Sequence, residues 1–73
     1  MKFLKKSFEA DIFGKTYRIV PALNDCGGDA QLFFVYERVG SDLILWDEIV
    51  ATYSSRNSLI NKIKVKLTRL DKN

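Results

Sequence analysis

The chain has 73 residues, is 47% hydrophobic and 29% charged, and carries a formal net charge of +3 with no histidine. That length allows one domain, residues 1–73, close to the lower limit at which an apolar core sustains itself. The single cysteine, Cys26, cannot close an intrachain disulfide, and a chain without histidine cannot form the usual zinc spacings, a Cys–His pair or a Ser–His–Asp triad.

The opening Met1-Lys2-Phe3-Leu4-Lys5-Lys6 is basic, but Glu9 and Asp11 arrive before any apolar h-region, so it does not read as a signal peptide. No apolar run approaches membrane-spanning length. A cytoplasmic protein with no membrane partner is the expectation, and a lone thiol suits a reducing compartment. Charge is unevenly spread: residues 1–18 sum to +3, residues 19–53 to −5 and residues 54–73 to +5. So acidic a middle argues against a chain wrapped in nucleic acid.

The first element is a hairpin over Ser7–Leu23. Gly14-Lys15 suits a two-residue turn with glycine first, of type II′. Phe13 then faces Thr16, and Ile12, Tyr17, Ala10, Ile19, Phe8 and Pro21 gather on one side, with Asp11 opposite Arg18 on the other. Pro21 marks a strand end or an edge. Asn24-Asp25-Cys26-Gly27-Gly28-Asp29 reads as a loop, with its aspartates serving turn chemistry rather than a cation site, and Cys26 as an incidental thiol.

A second hairpin, Ala30–Tyr53, turns at Gly40-Ser41. Pairing Val39 with Asp42 puts Leu32, Phe34, Tyr36, Leu43, Leu45 and Ile49 on one face and Phe33, Val35, Ile44, Trp46 and Val50 on the other. Strands that are apolar on both sides are normally covered on both sides.

The stretch 59–70, LINKIKVKLTRL, satisfies both a strand alternation and a helical stripe. At about 100° per residue, Leu59, Ile60, Ile63, Leu67 and Leu70 share one arc and only Val65 falls outside it. The strand alternative would place Asn61 and Arg69 among the apolar residues, so the helix is preferred. Ser55 or Ser58 can cap its start, and Lys66, Arg69 and Lys72 sit near the C-terminal end, where cations suit the helix dipole. Lys62, Lys64, Lys66 and Arg69 then form a basic outward face.

The expected fold is α+β: a four-stranded antiparallel meander of two hairpins with one C-terminal helix packed on one face. One helix covers one side only. The Phe34, Leu32, Tyr36 and Leu45 face is expected beneath it, which leaves Phe33, Val35, Ile44, Trp46 and Val50 as the protein-binding surface. Large exposed apolar patches mark interaction sites, and aromatic residues dominate binding hot spots. The function expected is therefore non-catalytic protein binding of inhibitor or adaptor type, with another protein or a second copy as partner, and with no cofactor and no metal. Nucleic-acid binding through Lys62, Lys64, Lys66 and Arg69, supported by Lys2, Lys5 and Lys6, is the alternative. Glu37 and Glu48, interleaved with the sheet aromatics, would repel phosphate.

Overall fold

In the computed structural model, residues 3–23 and 30–71 are described. Four antiparallel strands lie in the order β1-β2-β3-β4, with β1 Phe8–Ile12, β2 Lys15–Leu23, β3 Ala30–Val39 and β4 Asp42–Thr52. The helix α1, Arg56–Asp71, follows. This is the α+β meander with a C-terminal helix that the sequence pattern predicts. The loop read at residues 24–29 lies outside the described residues, as do Lys2 and Lys72.

The two hairpin turns differ. In the second, Val39 pairs with Asp42 and Gly40 takes a φ of +64°, as a glycine-first turn requires. In the first, Ile12 pairs with Lys15, so the central residues are Phe13 and Gly14, both left-handed with φ of +52° and +81°. Two positive φ values in succession describe a type I′ turn, whose twist matches that of the strands. The predicted pairing of Phe13 with Thr16 is thus displaced by two residues. A shift of two preserves which side chains share a face. Phe8, Ala10, Ile12, Tyr17 and Ile19 stay together, while Arg18 comes opposite Glu9 rather than Asp11.

In the second hairpin the predicted register holds from Val39–Asp42 to Tyr36–Leu45. Val35 then pairs with Asp47, which leaves Trp46 as the extra residue of a β-bulge. Everything beyond it on β4 changes side. Ile49 comes opposite Phe33 and is buried, whereas Val50 comes opposite Leu32 and is exposed. A second irregularity falls between Pro21 and Leu23 on β2. Pro21 lies past Ile19, the last β2 residue paired with β1, where its missing N–H disturbs no β1–β2 bond.

Helix α1 crosses the sheet along one rung. Register places Phe8, Ile19, Val35 and Asp47 side by side across the four strands. The Arg56 guanidinium lies 5.1 Å from the Phe8 ring centroid at one end of this row, and the Lys66 ammonium pairs with the Asp47 carboxylate at the other. Ten helical residues rise about 15 Å, close to the ~14 Å spanned by three strand spacings. Leu59 and Ile63, between those ends, are fully buried, with Ile60 and Leu67 packed at the margin. Leu70, predicted on the buried stripe, is 58% exposed, because by that turn the helix has passed the β4 edge. The start is capped by Ser55, whose Oγ accepts from the Ser58 N–H at 3.1 Å, while the Ser58 hydroxyl donates to the Ser55 carbonyl.

The core lies between helix and sheet and contains Leu4, Phe8, Ile12, Tyr17, Ile19, Phe33, Val35, Ile49, Ala51, Leu59 and Ile63. Tyr17 and Trp46 meet edge to face, with ring centroids 5.6 Å apart. Among the described residues, Gln31 is the polar side chain buried with them. Gln31 Oε1 accepts from the Leu4 N–H and its Nε2 donates to the Leu4 carbonyl, both at 2.9 Å, which clamps the N-terminal segment over the end of the sheet.

The facial expectation is corrected by these observations. Phe33 and Val35, read as part of the open surface, are 0% exposed beneath the helix, and Trp46 is half-buried against Tyr17. Ile44 shares their side of the sheet but lies nearer the hairpin tip than the helix track, and is 53% exposed. The cause is the join between the hairpins. Ile19 pairs with Val35, so the apolar side of the first hairpin extends the Phe33 side of the second, not the Phe34 side.

Candidate interaction surface

The side of the sheet away from α1 is built by register from three rows that alternate with the buried ones. From the hairpin tips downward these are Asp11–Thr16–Arg38–Leu43, Glu9–Arg18–Tyr36–Leu45 and Val20–Phe34–Glu48, with Leu32 beside Val50 below. Among the described residues nothing lies over them. Leu45 and Val50 are 50% and 60% exposed, Leu43 is exposed, and Val20, Leu32, Phe34 and Tyr36 are half-buried by one another. Phe34 and Tyr36, two apart on β3, meet edge to face with centroids 6.4 Å apart and planes at 85°.

Charge on this side is segregated. Toward β1, Glu9 Oε2 accepts from the Arg38 guanidinium at 2.7 Å and lies 3.3 Å from Arg18 Nε. The Arg38 hydrogen bond holds the Glu9 carboxyl below its ordinary range, with smaller support from the Arg38 and Arg18 charges against an opposing desolvation. Arg18 Nε is buried and ion-paired to Glu9, without the alignment of a hydrogen bond. Asp11 accepts from the Thr16 hydroxyl at 2.8 Å. Toward β3 and β4 the surface is largely apolar, with Arg38 near the hairpin tip and the exposed Glu48 and Thr52 as its polar members among the described residues. The acid–base cluster thus borders a greasy strip made of Tyr36, Phe34, Leu45, Leu43, Leu32 and Val50.

The basic helix face is less uniform than its sequence. Lys62, Lys64 and Arg69 are exposed, but Lys66 is half-buried and committed to Asp47. The Asp47 carboxyl is lowered chiefly by the Lys66 hydrogen bond, and also by the Glu48 N–H, which donates to its Oδ1 at 2.8 Å, while burial opposes both. Two shallow clefts of about 440 Å³ each flank this bridge between β4 and α1. Val50, Val65 and Lys62 line one, and Trp46, Leu70 and Arg69 the other.

The same bridge affects the free edge of β4. A bulge at Trp46, a main-chain N–H already engaged by the neighbouring carboxylate, and a lysine drawn across it all disfavour adding a strand there. The open face is therefore the better-formed surface. Among the described residues no group of three or more potential metal ligands comes together, and no helix is long and apolar enough to cross a membrane. Comparison with protein-family models, with curated proteins and with solved structures found no match.

Of the residues singled out from sequence for protein binding, Val50 alone lies on this open face. Ile44 is exposed on the other side, Trp46 lies at the margin of the core, and Phe33 and Val35 are inside it. Leu32, Phe34, Tyr36, Leu43 and Leu45, whose face the sequence pattern predicts beneath the helix, lie on the open face instead. The signal that separates the two sets is the β2–β3 register, and a six-residue intervening segment hides its parity.

Proposed function

We propose that the protein is a small, non-catalytic protein-binding module of inhibitor or adaptor type that engages its partner with the open sheet face. One observation carries this reading: a row of apolar side chains on β3 and β4, including the exposed Leu43, Leu45 and Val50, lies on the side of the sheet that α1 leaves uncovered. Contiguous apolar surface bordered by charged residues is the usual form of a protein-docking site. Tyr36 and Phe34 supply the large rigid anchors at its centre, and the Glu9–Arg18–Arg38 cluster, one carboxylate shared by two guanidiniums, forms a polar rim. The reading places the module in the cytoplasm, where the thiol of Cys26 stays reduced.

The exposed Lys62, Lys64 and Arg69, with no ion-pair partner among the described residues, favour nucleic-acid binding as the second reading. The two separate in one set of affinity captures from the native host, with and without nuclease. Wild type is compared with Leu45→Lys/Val50→Lys and with Lys62→Glu/Lys64→Glu/Arg69→Glu. Capture that survives nuclease and the helix reversal but is lost in the sheet variant supports protein binding through the open face. Loss with nuclease and with the helix reversal alone replaces that reading with the second.

A further inference from the structure

We propose that the seam between β4 and α1 is a second docking groove, and that it takes an acidic amphipathic helix of a partner protein laid alongside α1. The site is separate from the open sheet face and stands on different residues.

The core leaves two apolar residues of α1 unused. Val65 falls outside the buried stripe, is 50% exposed, and is no more than a modest helix former. Leu70 belongs to the stripe but overshoots the β4 edge. Both line the clefts that flank the Lys66–Asp47 bridge, Val65 with Val50 in one and Leu70 with Trp46 in the other. Apolar side chains scattered singly on a surface need no explanation, but these four are gathered in two adjacent clefts.

Charge states what kind of partner fits. From Arg56 to Leu70 the helix carries Arg56, Lys62, Lys64, Lys66 and Arg69 and no acid. Lys66 is taken by Asp47, and Arg56 lies over Phe8. Lys62 lines one cleft and Arg69 the other, both exposed and without an ion-pair partner among the described residues. Seven residues apart, they lie two turns from each other on one side of α1, about 10 Å along its axis. Lys62, Val65 and Arg69 thus form a flank that is cationic at its ends and apolar in the middle. Its complement is a helix with carboxylates seven residues apart and leucine-like side chains in the turn between them, seated as an amphipathic helix is in a groove.

Two other occupants fit less well. The bulge at Trp46 and the Lys66–Asp47 bridge disfavour an added strand on β4. Nucleic acid would bring a continuous row of phosphates past Glu48 and Asp47, which line the clefts, and Val50, Val65 and Leu70 give bases no aromatic stacking platform. A partner helix can place its acids opposite the cations alone.

Titration of isotope-labelled protein with a synthetic helix, followed by chemical shift, tests the proposal. The probe has an alanine–glutamine background, two glutamates seven residues apart and two leucines between them. Saturable shifts at Lys62, Val65, Arg69, Leu70 and the Trp46 indole are expected, with a dissociation constant of about 0.1 mM. Val65→Ala/Leu70→Ala keeps good helix formers at exposed positions and should weaken binding about tenfold. Lys62→Glu/Arg69→Glu should abolish binding of the glutamate probe and confer binding of its lysine counterpart. Leu45→Lys, on the open face, should leave the titration unchanged. Far-UV circular dichroism confirms the fold of each variant. The groove is overturned by an absence of shifts at millimolar probe, by binding indifferent to Val65→Ala/Leu70→Ala, or by shifts centred on Phe34 and Leu45. An oligonucleotide that binds these residues more tightly than the probe at the same salt concentration replaces the acidic helix with nucleic acid and also overturns the proposal. Because the open face is read by its own variant, failure of the groove leaves that docking surface standing.

Discussion

The two sides of this sheet are nearly alike in composition and opposite in circumstance. On one side Phe33, Val35, Ile19 and Ile49 are sealed beneath Leu59 and Ile63. On the other Phe34, Tyr36, Leu45 and Val50 come from the same strands, are equally apolar, and have no cover among the described residues. What separates them is the helix, sixteen residues long and held to a single row by Arg56 over Phe8 and Lys66 on Asp47. The difference teaches that in a sheet apolar on both faces, the element that supplies the lid decides which face is structure and which is surface.

The comparison is broken most forcefully from the sealed side. Phe33→Ala removes a fully buried ring, and core truncations of this kind cost about 3–5 kcal/mol. In a domain this small that approaches the whole folding free energy. Chemical denaturation should show a largely unfolded variant, whereas Phe34→Ala, one residue away on the open side, should stay folded. Gln31→Leu leaves the Leu4 N–H and carbonyl buried without their partner and should cost about 1–3 kcal/mol. Faster amide exchange at Leu4 would locate the loss.

Smaller effects sharpen the account at its edges. Phe13 holds a left-handed φ with its ring 64% exposed, so Phe13→Asn exchanges strain for the Asn-Gly pair that type I′ turns prefer. A gain of about 0.5–1 kcal/mol is expected, which for a 60–100-residue domain is a rise in melting temperature of several degrees. Asp47→Asn should cost well under ~1 kcal/mol, since both partners of its bridge are partly exposed and solvent screens them. Its pH signature follows from the direction of the shift. A carboxyl held below its ordinary value stabilises the fold above that value, and the contribution disappears as pH falls through the folded-state pKa. The difference in stability between wild type and Asp47→Asn should therefore be present at neutral pH and vanish in acid.

Much of this fold is legible in the sequence. Alternation and the glycines at 14 and 40 reveal both hairpins, and a stripe of five apolar residues distinguishes helix from strand at 59–70. Which face stays open is less legible, for two physical reasons. The bulge at Trp46 reverses the sides of Ile49 and Val50, and nothing in Leu45-Trp46-Asp47 announces it. The pairing of Ile19 with Val35 depends on how residues 24–29 return the chain, and a slip of one residue there exchanges the two faces. The turn at Phe13-Gly14 rather than Gly14-Lys15 is not legible in the sequence, because a left-handed phenylalanine is sterically disfavoured, yet the face assignment holds because the displacement is even.

The central claim is that one apolar face is closed by α1 and the other is open to a partner. Methyl relaxation by a soluble nitroxide, measured at low micromolar concentration, tests it most directly. Strong broadening of the Leu45 and Val50 methyls, with those of Val35, Ile19 and Ile63 left sharp, is the expected result. Equal protection of both sets at that dilution, or broadening of Val35 and Ile63 ahead of Leu45, would contradict the account.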